Sequence, residues 1–555
     1  MNNGTTKLAA FFLFLITSVS LLSVESATVK SGETIKPNPK LLNTGLADVK
    51  TFMAFYNRLS TDVDIGNKPL ILELGWVRGM SREGKNGRAI AKIDRLTGDI
   101  SLTVKGMPEG EWDFSLIENR PIQNYSTMPE FGDEIIRIGS INVKRGYGTL
   151  NTRVDPALFL GFRIDRATIS RAGIEPAESF ALTGAPSLTD RLNYLPSFSK
   201  ATTVQEREAV LEELITKGRD IFLNEVFNGN GRTCATCHRE ERNFTIDPKF
   251  IATLPPTDPL FVAETNPALA NNFENSALMR KFGLFIENVD GFEDLTNKFT
   301  LRASSSILAV ALSIKAPTRT QTIDTTAAFD NSPLQRLGWG GDGAPGSGTL
   351  REFAIGAVIQ HFPKTLDRKT GVDFRLPTDQ ELDALEAFQL SLGRSEDYDL
   401  MKLKLVNKLA SKGQKLFISA VINDGGKSKK CMECHFNGGA TVGFDFAKDT
   451  KCLTCIPSDA NGTFDIGISD LKDAKDQGLP LDGGFGKTKT PDGAFGSCLF
   501  NCIKAFNTPT LVEAADTAPF FHNHLIDTIE KAVKFYGTDD FNNSDTGKME
   551  FPPGV

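Results

Sequence analysis

Cys234-Ala-Thr-Cys237-His238 and Cys431-Met-Glu-Cys434-His435 are the two stretches on which the reading of this chain turns. Each sets two thiols and an imidazole on one short turn. In that spacing the sulfurs can add across the two vinyl groups of a haem while the adjacent imidazole takes the iron from one face. A single such motif also suits a redox dithiol or half of a zinc site. Two copies, without further paired ligands beside them, predict two covalently bound c-type haems. Cys234, Cys237, Cys431 and Cys434 would be the attachment points, and His238 and His435 the iron ligands.

The flanks of the two motifs resemble each other. Gly218-Arg-Asp-Ile-Phe222 precedes the first and Gly413-Gln-Lys-Leu-Phe417 the second, each followed by a Gly- and Asn-rich loop. This suggests an internal duplication. A helical pattern begins near Thr203, where Glu206, Glu208, Glu212 and Glu213 alternate with Ala209, Val210, Leu211, Leu214 and Ile215. We therefore expect two mainly α-helical, cytochrome c-like haem domains over residues 201–400 and 401–555. Their long loops, such as 423–440 and 476–497, need an internal clamp.

Upstream, residues 28–200 hold neither Cys nor His. Short alternating runs dominate, among them Lys68-Pro-Leu-Ile-Leu-Glu-Leu and Glu134-Ile-Ile-Arg-Ile-Gly-Ser-Ile-Asn-Val, which predicts a β-rich accessory domain, a sandwich or small barrel. Residues 1–27 read as a signal peptide: Lys7, then the apolar stretch 8–24, then Ser26 and Ala27. An uncleaved membrane anchor is the alternative. Elsewhere no run of eighteen apolar residues occurs, so no membrane span is expected after cleavage. The composition fits a globular, exported (periplasmic) protein in several domains, at 555 residues and 40% hydrophobic. With 69 acidic against 62 basic residues, the balance argues against a nucleic-acid partner.

Eight cysteines and five histidines leave few residues over. Cys452, Cys455, Cys498 and Cys502 are expected to form two disulfides, with a four-cysteine zinc site as the alternative. The acidic stretch Asp470-Leu-Lys-Asp-Ala-Lys-Asp476, with Asp482, is either a calcium site or a solvated surface; it has no EF-hand spacing. His361, His522 and His524 remain for the far side of each iron, with Met279 and Met432 as candidates by default.

The stretch Phe506-Asn-Thr-Pro-Thr-Leu, Thr517-Ala-Pro-Phe-Phe-His522 and Thr528-Ile-Glu-Lys-Ala-Val-Lys-Phe-Tyr536, together with the two motifs, resembles the bacterial di-haem cytochrome c peroxidase family. That family includes the methylamine-utilisation di-haem enzyme and, more distantly, the rubber oxygenase. The resemblance covers about residues 205–550. It implies that Tyr536 occupies the sixth-ligand position of the second haem, with His522 or His524 as the alternative. It implies that Trp339, in Leu337-Gly-Trp-Gly-Gly-Asp-Gly343, relays electrons between the haems, although the family's Arg is missing there. It further implies that Glu352, Gln360 and His361 act on bound peroxide, or that Phe353 covers an open iron suited to dioxygen. The expected reaction is reduction of hydrogen peroxide with electrons from a small donor protein, a cytochrome c or cupredoxin. Oxidation or oxygenation of an organic or protein substrate and pure electron transfer are the alternatives.

Overall fold

The structure is a computed structural model. It describes residues 69–548 except for 78–79, 85–86, 121–127, 187, 193–199, 202, 270–272, 288–299, 314–336, 340–348, 395–399, 419–420, 423–427, 430, 436–437, 440–462, 472–475, 477–478 and 480–505. The signal-peptide reading and the four spare cysteines fall outside the described residues, as does most of the acidic stretch after Asp470.

The β-rich expectation takes the form of one eight-stranded antiparallel sheet. Its strands are β1 (Leu70–Gly75), β2 (Arg88–Ile93), β3 (Asp99–Lys105), β4 (Gly110–Glu118), β5 (Glu134–Val143), β6 (Tyr147–Arg153), β7 (Arg166–Arg171) and β8 (Leu182–Gly184). The order is β5-β4-β7-β8-β1-β2-β3-β6. Alternation decides which face is inward: Ala89, Ala91 and Ile93 of β2 and Ile100, Leu102 and Val104 of β3 are buried together with Trp112 and Phe114 of β4.

The two outermost strands, β5 and β6, are consecutive and joined by a tight turn. Arg145 and Gly146 both have positive φ there, the geometry a two-residue hairpin needs. Their side chains also meet. A Cβ on Gly139 would lie 3.2 Å from Leu150, and one on Gly148 would lie 2.7 Å from Ile141. The sheet thus curls into a nearly closed barrel rather than a sandwich.

The helical part follows. Its principal helices are α1 (Leu188–Leu192), α2 (Val204–Asn224), α3 (Ser276–Phe282), α4 (Leu350–His361), α5 (Asp379–Leu390), α6 (Lys408–Ile418), α7 (Cys431–Cys434) and α8 (Ile529–Phe535). Helix α2 starts where its pattern predicts. Thr203 caps it and forms a reciprocal capping box with Glu206. Three short antiparallel strand pairs lie among the helices: β9 (Leu284–Glu287) with β10 (Thr300–Ala303), β11 (Val421–Ile422) with β12 (Ser428–Lys429), and β13 (Thr463–Phe464) with β14 (Phe506–Asn507).

Helices α2 and α5 pack at very close range, because Gly218 presents no side chain. A Cβ at that position would lie 1.9 Å from the Ala384 carbonyl oxygen. Beside this contact the rings of Phe222 and Phe388 lie 5.3 Å apart, with Phe244 6.0 Å from Phe222. Gly218→Ala should therefore push the helices apart and cost about 1–3 kcal/mol or more. A melting temperature that matches the parent's would contradict this packing.

Barrel and helices meet through buried charge. Arg351 of α4 pairs with Asp383 at 2.7 Å and with Asp379, both on α5. Arg191 of α1 reaches Asp383 at 2.8 Å and Asp165 at 3.2 Å. Asn119, just after β4, donates to Asp379. Arg166 of β7 meets Glu352 of α4 at 3.4 Å, both side chains buried. Such pairs are weak sources of net stability but strict about geometry, since any partner removed leaves an uncompensated charge.

Candidate functional site

The first motif forms one 3-10 turn, Cys234–Thr236, capped by Thr233. The His238 amide donates to the Cys234 carbonyl at 3.1 Å, which brings the ring onto the same side as the thiols. Its Nδ1 lies 3.0 Å from the Phe244 carbonyl, so Nδ1 carries the proton and donates, leaving Nε2 as the free ring nitrogen. Ser304 Oγ is 3.3 Å from that same Nδ1 and donates to the Cys237 carbonyl at 3.0 Å. Burial lowers the His238 pKa and pushes the thiols up, to about 12 for Cys234 and about 11 for Cys237.

The second motif repeats this arrangement on α7. The His435 amide donates to the Cys431 carbonyl at 3.0 Å, and its Nδ1 lies 3.1 Å from the Pro509 carbonyl. Burial lowers His435 to about 4 and raises Cys431 to about 11. At neutral pH both imidazoles are therefore neutral, and the Cys234, Cys237 and Cys431 thiols are protonated.

Trp339 stands between them. Its Nε1 donates to the Ala303 carbonyl at 2.9 Å, and Ala303 is followed by Ser304, which touches His238. Its own carbonyl accepts from the Asn507 amide at 2.8 Å, and two residues on is Pro509, which holds His435. The two imidazoles are thus joined through Trp339 by a short path of covalent and hydrogen bonds.

Helix α4 carries four residues singled out in the sequence, and it separates them. Glu352 faces the barrel and pairs with Arg166. Phe353 packs on Gly338, next to Trp339, where a Cβ would lie 2.6 Å from the ring. Gln360 and His361 lie at the other end. Gln360 Nε2 donates to the Ile286 carbonyl at 3.4 Å, and His361 Nδ1 is 3.9 Å from Glu274 Oε1.

Glu274 was not visible in the sequence. Its carboxylate is fully buried, bound by Arg232 at 2.8 Å and by the Ile286 amide at 3.2 Å. Arg232 and Glu274 both act on the Cys237 thiol, which places this cluster beside the first centre. The only sequence signal was Arg232, two residues before Cys234.

The residues expected opposite the second centre diverge. Tyr536 caps α8 and packs its ring on Phe541 at 5.0 Å; its phenol is pushed up by burial and then by the Cys434 and Cys431 thiols. His522 instead stacks on Phe506 at 3.7 Å, and its carbonyl accepts from the Ala303 amide. His524 turns its Nδ1 to the Phe282 carbonyl of α3 at 2.9 Å. Met279 is core beside Phe285, and Met432 packs with Phe417.

The cofactor expectation, two haems and calcium, is corrected here, with the heme, iron and metal-binding reading of these residues. Among the described residues no group of three or more His, Cys, Asp and Glu side chains could hold a metal ion. The physical reason is how the donors are spent. Each motif brings a single imidazole, whose Nδ1 is taken by a backbone carbonyl and whose Nε2 alone stays open, and His524 turns its Nδ1 to the Phe282 carbonyl. The buried acids Glu274, Glu352, Asp379 and Asp383 face guanidiniums. No disulfide occurs among the described residues, where Cys234, Cys237 and Cys431 carry free thiols; the four cysteines expected to pair lie outside those residues. Nor is any helix among those residues long and apolar enough to cross a membrane. No family model, curated protein or solved structure matches the chain.

Proposed function

We propose that this chain is an exported, periplasmic oxidoreductase that reduces hydrogen peroxide with electrons from a small redox protein. It would work through two Cys-Cys-His centres on two cytochrome c-like helical units, in a relationship to the di-haem peroxidase family that rests on sequence resemblance alone. The single observation that carries this reading is the matched pair of neutral imidazoles joined through Trp339. An indole between two such centres shortens the gap an electron has to cross. Two electrons from the donor protein and two protons would convert one peroxide to two waters, the O–O bond breaking at the His238 centre. That centre has polar company, because Arg232, Glu274, Gln360 and His361 gather there and proton transfer to a departing oxygen needs such groups.

The test is steady-state peroxide consumption by the exported protein, with reduced cytochrome c or a reduced cupredoxin as donor. Donor oxidation should depend on peroxide and on the enzyme. Absence of turnover with either donor would sink the reading. Intact mass of the same preparation reports what each cysteine pair carries.

A further inference from the structure

His361 is the last residue of α4 and points its Nδ1 into a buried corner. That atom is buried and makes no hydrogen bond among the described residues, while about a fifth of the side chain stays exposed. The exposed part of the ring therefore belongs to other atoms. Four charged or titratable groups face the imidazole: Glu274 at 3.9 Å, then Arg232, Arg368 and His238. Neither guanidinium can accept from Nδ1–H, whereas the Glu274 carboxylate at 3.9 Å can. Its carboxylate is fixed from two other sides, by Arg232 and by the Ile286 amide, and Arg232 is itself held by the Pro259 and Leu260 carbonyls.

We propose that Glu274 is a positioning residue for His361: it accepts from Nδ1–H and so leaves Nε2 as the proton acceptor for a substrate O–H at the first centre. The 3.9 Å gap closes with a small turn of the ring, as such contacts tighten when substrate binds. In the step, a substrate O–H bond breaks and an Nε2–H bond forms, with no electron changing hands. The imidazolium so created faces a carboxylate instead of two guanidiniums alone. The surroundings hold His361 neutral beforehand: burial, with Arg232, Arg368 and His238 adding to it, lowers its pKa to about 3. Without Glu274, taking up a proton there would be harder still.

The catalytic part of this inference rests on the peroxide-reducing reading; the tautomer does not. Five histidines make the ring nitrogens of a 15N-histidine sample countable, and loss of one signal in His361→Gln identifies the right ring. In the parent, His361 should be in the Nδ1–H form, and Glu274→Gln should move it toward the Nε2–H form while Glu274→Asp restores the parent pattern. An Nε2–H ring in the parent overturns the proposal, and this needs only His361→Gln, for the assignment, to fold. So does a spectrum that ignores Glu274→Gln in a variant with the parent's circular dichroism. In turnover, Glu274→Gln should lower kcat about 100-fold with little change in KM, and Glu274→Asp should recover most of it. An unchanged kcat alongside a shifted tautomer also overturns the proposal. If the parent consumes no peroxide, the functional reading falls, and the tautomer still decides whether Glu274 orients His361.

Discussion

Arg351→Met is expected to destabilise the folded chain by about 3–5 kcal/mol. The guanidinium bonds Asp379 and Asp383, and it also donates to the Asp379 backbone carbonyl. Met keeps much of the volume and none of the charge. Two carboxylates then remain buried, with only Arg191 and Arg166 to compensate them. The effect should show in urea unfolding as a lower midpoint with an unchanged slope. It should also depend on pH. Burial pushes the Asp379 carboxyl up, but Arg351, Arg191 and Arg166 together outweigh it and hold the carboxyl below its usual range. A depressed carboxyl stabilises the fold above its unfolded pKa near 3.8, and this stability is lost as pH falls through the folded value. The parent should therefore lose its advantage over Arg351→Met on acidification. A variant that unfolds like the parent at neutral pH would show that the junction is not held by these charges.

Trp339→Phe is expected to lower peroxide turnover by about tenfold or more, a barrier increase of about 1.4 kcal/mol or greater. Phe keeps a ring against the buried cluster that includes Ile468, Phe506 and Ile526 but cannot donate to Ala303. The bridge on the His238 side then opens, while the Asn507 and Pro509 side keeps its backbone contacts. Donor oxidation, followed by the donor's own absorbance, separates the two halves. A first burst at the parent's rate followed by slow turnover is the expected pattern. Turnover within about twofold of the parent's would remove Trp339 from the route.

The sequence showed local features well and distant pairings poorly. Thr203 and Glu206 mark the start of α2 because a capping box is written in neighbouring residues. The strands of the first 200 residues are legible from alternation, but the choice between barrel and sandwich depends on β5 meeting β6, which alternation does not encode. Glu352 and His361 stand apart for a geometric reason. Nine residues along a helix is two and a half turns, so the two side chains leave opposite faces about 13 Å apart. One end serves the barrel junction, the other the first centre. Glu274 escaped notice because it lies in a segment with no periodicity, and its partners Arg232 and His361 are remote in sequence. The metal expectation followed from the spacing of the two motifs and from the family resemblance. Spacing places two thiols and one imidazole on one turn, but it does not say which remote side chains join them, and the buried Glu274 nearby faces Arg232.

The turn at Arg145 and Gly146 has a further consequence, for the behaviour of the protein at high concentration. An open sheet of this size would end in two rows of unpaired amides and carbonyls, each a template on which another chain can add a strand. β5 and β6 remain the two ends of that order, bridged at Lys144 and Tyr147, but Leu150 and Ile141 pack across the gap between them and narrow it. A strand arriving from another molecule then finds side chains already seated where it would have to dock.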